Sequence, residues 1–477
     1  MELALILLGV FVLYLRTWCG KNRHYYIIDD NVRRWGYLYV IPQTSPPPEF
    51  YATRPHPWRH FFLVLTHSLN VWVINLLFGW QVAALFAFSP ISVNGTAWIT
   101  GGYYGVTMFL SLVSYYFITT FPNLIGLGLG SMFFTAALGS TITCLGLPFV
   151  FLLSGQPLGL ILFWPLGMYL FGKRFRAGFA IRNSGKRDKI TWRKLAVMTK
   201  VMAYYIRINL FPDKLAFFRR FGQEYGKNEA VKKDLESFNL SFLMAFLVVG
   251  SFAFVGYQFS PLGTIWFLVT LAPFTQFKIL GQFVAERYLY LPQLGIYMII
   301  AGMIGDNPVL MAIVLTLYAY RTHLYIPAFR NIENLYKNGL ANYPDCISNY
   351  ANLGERYLHT KEIFKARRLL EDGLKLDPLS FLCHTNLAAY WISVKGWEKA
   401  MYHSGMAMSD PNNPLAKRIL SKQYTELKVV VEKENIRKAK QLEEALKNVR
   451  DTNARVSEVT KTATLCDIPM PVLSLSK

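Results

Sequence analysis

The sequence predicts an all-α protein: a polytopic membrane bundle of about eleven helices, followed by a helical repeat domain of tetratricopeptide type. Three observations carry this reading. First, 53% of the 477 residues are hydrophobic and 16% aromatic, against 17% charged, a balance too apolar for an ordinary soluble chain. Second, 13 of the 29 acidic residues lie in the first 340 positions and 16 in the last 137, dividing the chain into an acid-poor apolar part and a polar part. Third, the polar part repeats itself at 34 residues.

The apolar runs fall near 2–16, 61–79, 81–99, 103–120, 124–138, 142–170, 195–211, 239–257, 261–280, 291–305 and 308–325. Each approaches the roughly 20 residues that cross a bilayer, with shorter ones serving where helices break or flanking groups snorkel. The first has no basic segment before it and no small-residue cleavage site after it, so it reads as a helix and not as a signal peptide. The stretch 173–200 holds ten Lys and Arg against the single acid Asp188, which assigns it to the cytoplasm. Counting outward places 17–60, 211–238, the stretch around Glu286 and the C-terminal region on the exoplasmic side. Two of those exoplasmic loops are themselves basic (Arg33, Arg34, Arg54, Arg59; Lys214, Arg219, Arg220), against the usual trend. Charge so placed suits an anionic group outside the cytoplasm.

Asn352, Leu353, Tyr357 and Ala366 recur as Asn386, Leu387, Trp391 and Ala400, and Asp377-Pro378 recurs as Asp410-Pro411. Small and large apolar residues at these places in a helix-turn-helix unit form the tetratricopeptide pattern, with Pro closing the second helix; an ordinary pair of helical hairpins is the plainer reading. The expected organisation is a membrane domain at 1–325, repeats at 326–414, a long charged helix at 415–459 and a flexible tail at 460–477.

The net charge of +21 suits an anionic surface, and its distribution points to lipid and topology rather than nucleic acid. No glycine-rich phosphate loop, CxxC pair or HExxH occurs, so nucleotide hydrolysis, structural zinc and zincin chemistry have no support. The five cysteines are scattered; Cys346 and Cys383 sit in successive repeats, and separate buried thiols are expected there rather than a disulfide.

Scarcity makes the remaining acids informative. Between Glu49 and Asp213 the only one is Asp188. Asp29-Asp30, just beyond the first span and followed by Arg33, Arg34 and Trp35, forms a carboxylate doublet at the membrane surface. It suits a general base towards a hydroxyl, or a metal ligand, and equally a turn or helix cap. Glu286-Arg287, followed by Tyr288, Tyr290 and Pro292, lies between two apolar spans. An Arg fork there can orient a phosphate, whereas the same residues also make an ordinary interfacial anchor belt.

Taken together, these motifs resemble the transmembrane and tetratricopeptide-repeat O-mannosyltransferases. AERYLYLPQLG (285–295), after IWFLVTLAPFTQF, is similar to that family's AERxLYLPSxG element. YYIIDDNVRRW (25–35) resembles its first exoplasmic loop, and HSLNVWVINLLF with ALFAFSPISVNGTAWITGG (67–102) resembles its HxxNxLL and ALHPVHTEAVAWIAGR stretches. YYIRINLFPDKLAF (204–217) resembles its second loop, and the repeats follow the last span as they do there. The resemblance covers roughly residues 1–415 and implies a GT-C membrane glycosyltransferase fold and an inverting transfer from a lipid-phosphate sugar to a Ser or Thr hydroxyl. Asp30 or Asp29 would then be the base, and Arg287, with Glu286, Arg219 and Lys214, would hold the donor phosphate. Trp35, Tyr288 and Tyr290 would contact the acceptor, which the repeats bind.

Some positions depart from that pattern. Ser140-Thr141 stands where the family has a Lys-Glu pair, Ser89-Pro90-Ile91-Ser92 replaces HPVH, and FPDKLAFFRRF lacks the Asp-Tyr of the second loop. The sugar is therefore expected as mannose or a similar hexose. No cofactor is called for beyond the lipid-phosphate donor as substrate, and a divalent metal, though compatible, is not predicted. Expected partners are the polyprenyl-phosphate sugar, an acceptor protein and membrane lipids, without nucleic acid. The setting is the endoplasmic reticulum membrane or a bacterial inner membrane, with the repeats luminal or periplasmic. The alternative is a non-catalytic membrane scaffold that binds a partner through its repeats.

Overall fold

The structure, a computed structural model, describes residues 1–19, 23–25, 33–35, 38–40, 54–121, 123–140, 142–156, 165, 169, 192–219, 233–275, 284–408 and 424–441. These are overwhelmingly helical; one antiparallel ribbon pairs Arg33–Trp35 with Leu38–Val40. Two compact units divide between Leu376 and Asp377, inside the expected repeats.

In the first unit the helices Glu2–Trp18, Pro57–Phe78, Gly102–Thr120, Arg193–Leu210, Leu240–Phe259 and Pro308–Tyr325 coincide with expected spans. Among the described residues, three segments are long and apolar enough to cross a membrane: Pro57–Phe78, Leu240–Phe259 and Pro308–Arg330. Leu124–Leu138, Pro261–Phe274 and Gln293–Ile304 are apolar but shorter. The Leu240–Phe259 helix buries only Ala245 and Gly256, and leaves Leu243, Phe246, Leu247 and Phe254 exposed. A helix apolar on every side and exposed on most of them matches a lipid-facing surface.

Two expected spans are broken. Gly79, at φ +86°, ends the Pro57–Phe78 helix and starts the eight-residue helix Trp80–Ala87. Ser89 then accepts from the Ile91 amide, Pro90–Ser92 turns as a 3₁₀ helix, and Val93–Thr96 adds one helical turn. The run 81–99 is thus apolar but not one helix, because Pro90 lacks the amide that would continue it. Within 142–170, Ile142–Gly146 is 3₁₀ and Leu147–Leu153 a short helix, and 157–164 lies outside the described residues.

One core unites this unit, from Ile6, Val10 and Tyr14 through Trp266, Phe267, Leu289 and Tyr297 to Leu353 and Ala366. Small residues let its helices meet closely. A side chain at Gly263 would strike the Gly295 carbonyl at 2.6 Å, and one at Gly295 would strike that of Gly263 at 2.2 Å. The Pro261–Leu271 and Gln293–Ile304 helices therefore touch backbone to backbone, and so hold the 285–295 segment against the bundle.

The polar part also follows its 34-residue period. Ile347–His359 and Ile363–Leu376 close the first unit, and Phe381–Ser393 and Trp397–Met408 open the second, with first helices of 13 residues each. The turn inside each pair uses a lysine at positive φ, Lys361 at 62° and Lys395 at 58°, 34 positions apart. The paired small residues Ala366 and Ala400 are both fully buried. Cys346 and Cys383 are buried and not joined in a disulfide, and burial pushes the Cys383 thiol up to about 11. Of the expected charged helix, 424–441 is described and helical.

Candidate functional site

The segment with the two interfacial charges is tied down at almost every residue. The Ala285 amide donates to the Tyr205 hydroxyl at 3.1 Å, Glu286–Leu289 forms a 3₁₀ turn, and the Trp266 indole donates to the Leu291 carbonyl at 3.1 Å. Gln293 donates to Ser92 Oγ at 3.0 Å and to the Tyr290 carbonyl at 3.1 Å, while its own oxygen accepts from Ser89 at 2.9 Å. Buried polar groups satisfied this completely fix one arrangement of the chain.

Glu286 is 2% exposed. One carboxylate oxygen accepts from the Ala216 amide at 2.9 Å and is ion-paired with Arg219; the other accepts from Asn94 Nδ2 at 2.9 Å and the Tyr325 hydroxyl at 2.8 Å. A carboxylate with four donors has little capacity left for a ligand. Arg219, itself 1% exposed, also donates to the hydroxyls of Tyr204 and Tyr343 and lies over both rings. Glu286 and Arg219, both expected at a donor phosphate, are here paired with each other, and the charge of one answers the other.

Arg287 points elsewhere. Its guanidinium carbon lies 5.1 Å from the centre of the Phe217 ring, 5.2 Å from Tyr288 and 5.7 Å from Trp98, an aromatic box for a cation. Tyr288 is in turn stacked on Phe274 at 4.4 Å. Burial opposes the charge of both arginines; the tyrosine hydroxyls around them, Tyr204 and Tyr343 for Arg219 and Tyr288 and Tyr104 for Arg287, outweigh it and hold both above the ordinary arginine range. Both remain cationic at any physiological pH.

Other expected site residues are placed differently. Tyr290 turns into the core, where its hydroxyl lies 2.8 Å from His67 Nδ1 and its ring fills the space beside Gly95. His67 Nε2 faces the Ala87 carbonyl at 3.2 Å. A carbonyl only accepts, so Nε2 carries the proton and Nδ1 accepts from Tyr290. That hydroxyl is committed to anchoring, so an acceptor contact does not suit Tyr290. Lys214 is exposed, and its carbonyl accepts from Tyr343 at 3.0 Å. Trp35 lies in the ribbon, and its side chain is outside the described residues, as are Asp29 and Asp30 altogether. Asn94-Gly95-Thr96 and Asn239-Leu240-Ser241 have the form of N-glycosylation acceptors; Asn94 is 1% exposed and holds Glu286, so a glycosyltransferase cannot reach it. The second sequon residue, Asn239, is exposed and caps the Leu240–Phe259 helix.

Sequence reasoning missed Asn94, Tyr325 and the Ala216 amide around Glu286, and Trp98 and Phe217 around Arg287. Asn94 and Trp98 lie within the 84–102 stretch that carries the resemblance, which was the available signal. Among the described residues no group of three or more His, Cys, Asp or Glu is placed to hold a metal. Comparison of the chain with models of protein families, with curated proteins and with solved structures finds no match.

Proposed function

We propose that this protein is a membrane glycosyltransferase of the GT-C type, moving a hexose from a polyprenyl phosphate to a protein hydroxyl outside the cytoplasm. The observation that carries this is Arg287, a buried cation in an aromatic box on the segment most similar to the O-mannosyltransferase family. In this reading the chain crosses the membrane about eleven times, its broken segments bend the bundle around the site, and the 34-residue helix pairs act as tetratricopeptide repeats that hold the acceptor.

The reaction balances without a further reagent. The acceptor oxygen bonds to the anomeric carbon as the bond from that carbon to the phosphate oxygen breaks; Asp30 or Asp29 takes the hydroxyl proton, and polyprenyl phosphate departs with the bonding electrons. Negative charge grows on the departing phosphate, where a fixed cation in a dry site stabilises the transition state most. Arg287 fills that role. Glu286 fixes Arg219 and the turn that presents Arg287, and is a positioning residue.

The helix pairs also suit the scaffold reading, since Phe364 is 77% exposed on one and Tyr402 60% exposed on the other, offering apolar contact to a partner. Co-expression with a candidate acceptor separates the two. The account expects the Asp29→Asn, Asp30→Asn double variant to abolish the hexose found on the acceptor by mass spectrometry while the acceptor still co-purifies. An acceptor that copurifies but carries no hexose even with the wild-type chain would favour the scaffold.

A further inference from the structure

A concentration of buried basic side chains lies where the first apolar helix ends. His24 and His60, 1% and 2% exposed, meet edge to face with ring centres 5.6 Å apart. His24 Nδ1 and both ring nitrogens of His60 have no hydrogen-bond partner among the described residues. Arg16 and Arg330 act on His24 electrostatically, and Arg54 lies against Tyr25, the next residue along the chain. Arg16 donates one amino group to the His323 carbonyl, Arg54 donates to the Tyr25 hydroxyl at 2.8 Å and lies over that ring at 4.5 Å, and the Arg330 carbonyl accepts from the Tyr25 amide at 2.8 Å. The Nε atoms of all three arginines are buried and lack an acceptor, and none of the three is ion-paired to an acid among the described residues.

Buried donors are almost always satisfied, so four side chains short of acceptors, His60 and the three arginines, call for an explanation. A metal cation does not supply it, because three guanidinium groups repel one. An anion with several oxygens does: it accepts from planar Arg forks and imidazole N–H groups at once. Burial, reinforced by His60, holds the His24 imidazole well below its usual value although the Ala97 backbone carbonyl accepts from it; its one N–H is committed there, so the donors left over are those of His60 and the arginines. The cluster gathers the C-terminal end of Glu2–Trp18, the first turn of Pro57–Phe78 and the end of the segment Pro308–Arg330, three apolar segments whose ends would lie at the headgroup level of a bilayer.

We infer that His60, Arg16, Arg54 and Arg330, packed beside His24, form a binding site for a phosphate group, separate from Arg287. The chemistry recognised is a phosphate monoester or free phosphate at the membrane boundary, and the site stands whether or not the chain transfers a sugar.

The test uses the full chain in detergent with Arg287→Gln as background, so that phosphate bound at the proposed transfer site does not contribute. Thermal stabilisation is followed against inorganic phosphate and against a short-chain polyprenyl phosphate, with chloride as the control. Stabilisation by at least one probe is expected, and its apparent affinity falls about tenfold or more on His60→Gln or Arg330→Gln, the loss of one charge-assisted bond. Arg54→Gln, on a half-exposed residue, serves if those variants do not fold. Response to the lipid alone identifies a lipid headgroup; response to both identifies phosphate itself. Stabilisation no greater than chloride gives, or equal affinity in the substituted chains, overturns the inference.

Discussion

At the scale of single residues, Glu286 decides the most. Its four donors converge from the 94–96 turn, the 211–219 loop and the end of the Pro308–Tyr325 helix, so one carboxylate joins segments far apart in sequence. Replacing it with Gln keeps the shape but places an amide among donors and leaves Arg219 buried without its counter-charge. That loss is expected to cost about 3–5 kcal/mol, read as a lower melting temperature in detergent. Removing both charges in Glu286→Gln, Arg219→Met should recover part of the loss, because an uncompensated buried charge is worse than none; a double variant as unstable as the single one would contradict the pairing. Glu286 was conspicuous in the sequence because acids are so few there. Its role as the anchor of Arg219 was not, since the pairing depends on a tertiary contact that no local pattern encodes.

At the scale of elements, the same turn is built twice. Lys361 and Lys395 adopt the left-handed conformation between paired helices, which costs a residue with a side chain about 1–2 kcal/mol and glycine nearly nothing. Lys361→Gly and Lys395→Gly are each expected to raise the stability of their own helix pair by roughly 0.5–1 kcal/mol after the entropy of glycine is subtracted, measurable as slower amide hydrogen exchange there. Thr360→Gly, at φ −84°, should instead speed exchange; a gain at Thr360 equal to that at Lys361 would contradict the strain argument. The repeat period was legible because apolar and small residues recur at fixed spacing. The broken run 81–99 was not: composition records that a stretch is apolar, whereas the break depends on Pro90 ending the ladder after Trp80–Ala87.

At the scale of the whole molecule, the helical class and the apolar character of the first part followed from composition, and the helices Pro57–Phe78, Leu240–Phe259 and Pro308–Tyr325 lie where the apolar runs predicted them. The number of crossings was less legible, since short or kinked apolar helices pack against one another as readily as they meet lipid. The division at Leu376–Asp377 lay beyond sequence reasoning too, because the contacts that continue the first core through Leu353 and Ala366 are set by packing. Function depends on where these elements bring Arg287. The most direct measurement is transfer by the purified chain in vesicles, from a labelled polyprenyl-phosphate hexose to an acceptor peptide. The account predicts labelled peptide from the wild-type chain and a rate about 10²–10³-fold lower from Arg287→Gln, at an unchanged melting temperature. No labelled peptide, or an Arg287→Gln rate equal to wild type, would contradict it.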